Sequence, residues 1–180
     1  VAKAQDAWRA KLQAVELFGV EDAQKRTFYT ALYHQFLMPS TYSDADGRYR
    51  RTDDSIATAT GWNFVGDLSL WDTYRTTHPL YALVAPESAR DAARSLIDFA
   101  PVRGFPRWTI GPRETGVMVG APADIVIADA ILKGVPGIDA NDAWAKLRAT
   151  AIGETPPPGG WGTRGGLDEY KANGGWLTVN

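Results

Sequence analysis

Trp71 and Asp72 place a flat apolar ring beside a carboxylate, and Arg75 follows at the i, i+3 spacing from Asp72, one helical turn on. Sugars suit that combination: their C–H faces lie against indole, and their hydroxyl pairs bond to carboxylate or guanidinium. The segment Ser69–Leu80 (SLWDTYRTTHPL) carries these residues. A plainer assignment competes, in which Asp72 and Arg75 form a structural ion pair and Trp71 belongs to the core. A second cluster lies in Asp44–Arg50 (DADGRYR), where Asp44, Asp46, Arg48 and Tyr49 surround Gly47. Its opening is that of a calcium loop, but such a loop needs a glycine two positions beyond Gly47 and a glutamate where Ser55 stands. What is left is a tight turn, which either presents Arg48 to a cleft or is tied by aspartate to its own backbone. Glu114, with Thr115, either faces a cleft or caps a turn before a buried helix.

These residues must be positioned by helices, because helical periodicity dominates. Ala4, Trp8, Leu12 and Val15 form one apolar stripe ending at Gly19. Glu21 and Asp22 open a second helix, with Phe28, Leu32 and Phe36 on one face and Tyr29, Tyr33 and Leu37 on the next. A long loop from Met38 to Leu68 follows, with short strands expected near Arg48–Arg50 and Asn63–Val65. A loop of that length inside a compact domain is usually functional. A third helix is expected from about Ser69 to Val84, kinked at Pro79. Ser88 is a suitable N-cap for a fourth, with Ala89, Ala92, Ala93, Leu96 and Ile97 inward and a loop beginning at Pro101. Pro122 starts and Gly134 closes a fifth, apolar on nearly all sides and so expected to be buried. Asp139 caps a sixth, with Trp144, Leu147 and Ala151 inward and Gly153 as its stop. Thr155–Gly166 reads as loop, and Leu167–Asn173 as a further short helix. The fold class is therefore all-α: paired αα-hairpins with long irregular loops.

Composition bounds the function. Hydrophobic residues make up 44% and charged residues 22% of the 180, so the chain is globular. The net charge of −2 comes with interspersed signs and no basic stripe, which speaks against nucleic acid. No apolar run approaches a membrane span. The absence of cysteine removes disulfides, thiolate metal sites and thiol nucleophiles. His34 and His78 have no second ligand at zinc spacing, and each is expected to be a hydrogen-bonded helix histidine. Val1 opens directly into a helical pattern with no signal peptide, so any targeting segment is removed or lies upstream.

Four blocks in order, Phe28–His34 (FYTALYH), Asp44–Arg50, Ser69–Leu80 and Glu114–Gly120 (ETGVMVG), resemble glycoside hydrolase family 92, the calcium-dependent exo-acting α-mannosidases. The resemblance runs from about Gln24 to about Gly134, with Gly165–Trp176 (GGLDEYKANGGW) as a weaker continuation. It implies roughly the first half of an (α/α)6 barrel over residues 1–180, without the N-terminal β-sandwich and the C-terminal half, in an excised fragment or one piece of a longer enzyme. It implies a substrate-binding role for Trp71, Asp72, Arg48 and Glu114, the motif matching at Leu70-Trp71-Asp72-Thr73, with Asp72 holding hydroxyls of a terminal mannose. The resemblance implies an α-1,2-mannosidase that hydrolyses terminal α-mannosides of a mannose-containing oligosaccharide or glycoprotein glycan. The family inverts, which needs an acid and a base about 6.5–9.5 Å apart with water between them. Both, like the principal Ca2+ ligands, belong to motifs not found in this chain, so the chain alone is expected to be inactive. The resemblance also implies a secreted or periplasmic location. A half-barrel has helices that expect neighbours, which makes self-association an expectation. Two other functions compete: a non-catalytic helical glycan- or protein-binding module, and an inverting (α/α)6 hydrolase acting on another sugar.

Overall fold

A computed structural model describes residues 1–154 and 164–175. Helices α1 (Ala2–Leu12) and α2 (Asp22–Gln35) form a hairpin. A capping box starts α2: the Glu21 amide donates to the Gln24 side chain at 3.1 Å, and the Glu21 carboxylate accepts from the Gln24 amide. Trp8 packs on Tyr33 with ring centroids 4.6 Å apart, yet α1 has no buried residue.

The long loop carries four short strands. β1 (Ser40–Thr41) pairs antiparallel with β4 (Val65–Gly66), and β2 (Arg48–Arg50) with β3 (Ile56–Thr58). The strand expected at Arg48–Arg50 is present; the one expected at Asn63–Val65 lies at Val65–Gly66. This segment has its own small core, in which Tyr49 stacks on Phe64 at 4.2 Å and Phe64 meets Phe99 of the helix below at 5.7 Å.

Instead of one helix kinked at Pro79 there are two, α3 (Leu70–Thr73) and α4 (Thr77–Val84), with the break at Tyr74–Thr76. Pro79 is the third residue of α4, where its missing amide has no helical partner to lose, and continuing the helix backwards would crowd its ring. A second proline sets the next boundary: α5 (Pro86–Arg103) begins at Pro86, not after Ser88, because proline suits the first helical position and keeps Ala85 out of the helical region. Pro101 falls in the last turn of α5, and Gly104, at φ +79°, ends it.

A hairpin of β5 (Thr109–Ile110) and β6 (Arg113–Glu114) precedes α6 (Pro122–Leu132), α7 (Ala140–Ala151) and α8 (Leu167–Ala172). The fold is thus helical with three two-stranded sheets among the described residues, where an all-α chain was expected. Each sheet is two or three residues long and pairs segments without marked alternation, so periodicity could not reveal β3, β5 or β6. Asp139 caps α7 as expected, accepting from the amides of Asn141 and Asp142 at 3.0 Å. Helix α4 packs on α5 and α6, and α5 on α6 and α7. The core joins Ala92, Leu96 and Ala100 of α5 to Ala123, Val126 and Ile127 of α6, Ala143 of α7, and Leu68 and Leu70.

Two burial expectations fail. Helix α6 is not enclosed, since Ile125 is 50% and Leu132 87% exposed, and Trp144 of α7 is 65% exposed. Leu147 does pack against the core, as expected. No helix among the described residues is long and apolar enough to cross a membrane.

His78 is buried in α4 against Tyr81, with centroids 6.0 Å apart, and its Nδ1 has no hydrogen-bond partner among the described residues. Burial lowers its pKa to about 4, opposed by the Asp129 carboxylate. The folded value lies below the unfolded 6.5, so protonation favours unfolding. Stability from this group is complete above pH 6.5 and lost toward pH 4, by about 3 kcal/mol. Urea melts across that window should show the loss, and His78→Gln should flatten it.

Candidate active site

Helix α3 is a single turn, anchored by Leu70, which is fully buried. The two residues after it therefore face outward: Trp71 is 38% exposed and Asp72 is exposed. The Arg75 guanidinium lies over the rings of Trp71 and Tyr74, at 5.4 and 4.7 Å from their centroids. That stacking takes the place of the i, i+3 ion pair, and the Asp72 carboxylate has no hydrogen-bond or ion-pair partner among the described residues. An exposed carboxylate with all its acceptor sites open, next to indole and guanidinium, is equipped to bind vicinal hydroxyls.

The β5–β6 hairpin is fixed to the chain just before α3. The Leu68 amide donates to Thr109 Oγ1 at 2.8 Å, and the Thr109 amide donates to the Leu68 carbonyl at 3.0 Å. The Gly111 amide donates to Asp67 Oδ1 at 2.7 Å, with Asp67 held at φ +57°. Gly66 is required here, because a Cβ would lie 2.5 Å from the Gly111 carbonyl oxygen. Sequence reading passed over Asp67 and Thr109; the Gly66-Asp67 pair was the available turn signal.

Glu114 does not face a cleft. Its side chain is 3% exposed, and its oxygens accept from the amides of Arg107, Trp108 (3.1 Å) and Gly116 (2.9 Å), with Arg107 Nε 3.8 Å away. The carboxylate clamps the loop around itself. Arg48 is likewise engaged: its Nε donates to Asp46 Oδ2 at 2.6 Å and its amide to Asp46 Oδ1 at 3.1 Å, so the aspartate-tied turn forms. Among the described residues no contact links Arg48 to Trp71, Asp72 or Glu114. Asp91, Ser95 and Asp98 of α5 also went unforeseen; they hold the long loop. Asp91 accepts from the amide and side chain of Asn63, Ser95 from the amide of Val65, and Asp98 takes Arg51 in a two-point ion pair at 2.9 and 2.6 Å. Burial, then the Asp98 carboxylate, pushes the neighbouring Tyr49 hydroxyl up to about 12.

Calcium takes six to eight oxygen ligands, several of them carboxylates. Among the described residues no three acidic or histidine side chains converge.

With this geometry in place, the comparisons define a class. The model of the glycosyl hydrolase family 92 catalytic domain matches residues 1–179, and the chain belongs to that family. In structure it is similar to the family 92 α-mannosidase BT3965 of Bacteroides thetaiotaomicron, both free (TM-score 0.82) and in complex with mannoimidazole (TM-score 0.81), at 34% identity over 94% of this chain and 22% of that one. It is also similar to the family 92 inverting mannosidase BT2199 of the same organism, with a TM-score of 0.80 and 28% identity over 96% of this chain and 24% of that one. The chain therefore spans about a quarter of the length of these relatives. No curated protein matches it.

Removing the clamp should loosen this loop. Glu114→Ala leaves the part-buried amides of Arg107, Trp108 and Gly116 without this acceptor, at a cost on the order of 3 kcal/mol. Glu114→Gln, which keeps one acceptor oxygen, should lose roughly half as much. Urea denaturation of both variants measures the difference.

Proposed function

We propose that this chain forms the sugar-holding part of an inverting, exo-acting α-mannosidase that removes terminal α-mannose from an oligosaccharide or glycoprotein glycan. One observation carries the reading: Trp71 and Asp72 are exposed side by side on an anchored turn, and Asp72 has no partner among the described residues, while the buried carboxylate of Glu114 is engaged by backbone amides. Family membership and similarity to a mannosidase bound to mannoimidazole support mannose as the sugar. In this reading indole supports the C–H face of the terminal ring, Asp72 accepts from its hydroxyls, and Arg75 donates to a ring or hydroxyl oxygen. Arg48 and Glu114 then act through the loops they hold, not by touching sugar.

The acid, the base and the Ca2+ ligands belong, in this proposal, to other segments of a complete (α/α)6 barrel, which would act outside the cytoplasm. An α-1,2 preference is included in the proposal and would be set by those segments too. Similarity to the inverting BT2199 supports inversion, which places an activated water opposite the leaving oxygen. The non-catalytic glycan-binding module remains the second reading, favoured by the same open Trp71–Asp72 pair.

The chain by itself should not turn over an aryl α-mannoside with calcium present; enzyme-like turnover would refute the division of residues proposed here. It should also self-associate through exposed apolar residues such as Ile125, Leu132 and Trp144, and sedimentation velocity would report this. In the complete enzyme, Asp72→Ala should lower kcat/KM by one to two orders of magnitude, equivalent to about 1.5–3 kcal/mol for a charge-assisted bond. Because Asp72 has no partner among the described residues, the unfolding free energy should change by no more than an ordinary surface substitution, about 0.5 kcal/mol, read from the melting curve. Unchanged kinetics would remove Asp72 from the site.

A further inference from the structure

Tyr42 closes a junction of three segments just ahead of α3. It follows β1 directly, and its amide donates to the Phe64 carbonyl at 2.8 Å, which ties it to the residue before β4. From there its ring lies across two glycines. A Cβ at Gly66 would stand 2.9 Å from Tyr42 Cδ2, and one at Gly111 would stand 3.0 Å from the tyrosine oxygen and 3.1 Å from Cε1. Neither position has room for a side chain beneath the ring. The Tyr42 hydroxyl donates to the Asp67 carboxylate, whose Oδ1 also accepts from the Gly111 amide at 2.7 Å. The Asp67 amide donates back to the Gly111 carbonyl at 3.4 Å, so Asp67 and the hairpin turn hold each other.

Asp67 depends on these bonds. Its φ of +57° is left-handed, a region that costs energy for a residue with a side chain and persists only where the surroundings impose it. Between Asp67 and the exposed Trp71–Asp72 pair stand Leu68 and Leu70, both buried in the core. Apolar contacts fix how deep that stretch sits, but they are non-directional. The heading with which the chain enters α3 is set instead by the backbone at Asp67. We propose that Tyr42 is a positioning residue for the sugar site: by holding Asp67 it sets that heading, and with it the placement of Trp71 and Asp72. The inference rests on the sugar-holding reading of that pair. Tyr42 is 42% exposed, so without Asp67 its hydroxyl would bond to water at little net cost. What the bond to Asp67 contributes is geometry, and a sugar held between an indole and a carboxylate is sensitive to geometry.

The test is a double-mutant cycle in the complete enzyme, with kcat/KM on an aryl α-mannoside in calcium and a melting curve recorded for each protein. Tyr42→Phe keeps the ring over the two glycines and removes only the hydroxyl. It should lower kcat/KM roughly tenfold with the melting temperature unchanged. In an Asp72→Ala background the same change should cost less than about threefold, because no carboxylate is left to place. Asp67→Gly keeps the left-handed backbone while losing both side-chain bonds, and should show the same pattern. Wild-type kcat/KM in Tyr42→Phe would overturn the inference. So would an equal fold-loss in both backgrounds, the mark of a residue that supports the fold without placing Asp72. Wild-type kinetics in Asp72→Ala would refute the sugar site and this inference with it. The two failures are distinguishable, since failure of the inference alone leaves Asp72→Ala impaired.

Discussion

Helix α5 has to satisfy two different neighbours at once, and the placement of everything else follows from how it does so. On one side Ala92, Leu96 and Ala100 meet α6, α7 and the buried residues around α3. Small side chains there let helical backbones approach closely, and dispersion and apolar burial do the rest. On another side Asp91, Ser95 and Asp98, spaced at i, i+4 and i+7, face the long loop. A loop that crosses a helix buries amides that have lost water, and each needs an acceptor. Asp91 and Ser95 supply acceptors for Asn63 and Val65, and Asp98 holds the hairpin through Arg51. A helix apolar on all sides could not have held that loop in place.

The same requirement sorts the carboxylates into two groups. Glu114 spends its oxygens on backbone amides, Asp67 on the Gly111 amide and the Tyr42 hydroxyl, Asp46 on a backbone amide and the Arg48 guanidinium, and Asp98 on a guanidinium. Each stabilises a turn or a junction and has little capacity left for a ligand. Asp72 lies outside this network on a turn that is anchored through Leu70 and not through its own charge. In the proposed sugar site Asp72 would gain from that separation, because its neighbours are held rigidly while its acceptor sites stay open. Asp124 is intermediate, with one oxygen on Arg164 and its surroundings in a cavity.

Family membership gives these local arrangements a wider frame. The chain matches the family 92 catalytic domain along almost all its length and yet spans about a quarter of the relatives it resembles. In the mannosidase proposed here, binding of the terminal sugar and proton transfer are carried by different stretches of sequence. In the same proposal the exposed apolar residues of α6 and α7 are surfaces for neighbouring segments.

The sequence by itself determined the helices and most of their ends, since those depend on local chemistry. Pro122, Gly134 and Asp139 act within one turn of their own positions, and all three boundaries stand where they were read. Even so, Pro79 and Pro86 moved two boundaries, because where the preceding residue can go matters as much as the proline itself. That Trp71 and Asp72 stand side by side was legible because neighbours in sequence stay neighbours in space, and the structure shows both exposed. Only the tertiary structure could decide that Trp144 faces out, that Arg48 is tied to Asp46, and that Glu114 closes on three amides. Each of those outcomes depends on which backbone amides and side chains the packed chain brings within about 3 Å, a distance that spacing along the sequence does not encode.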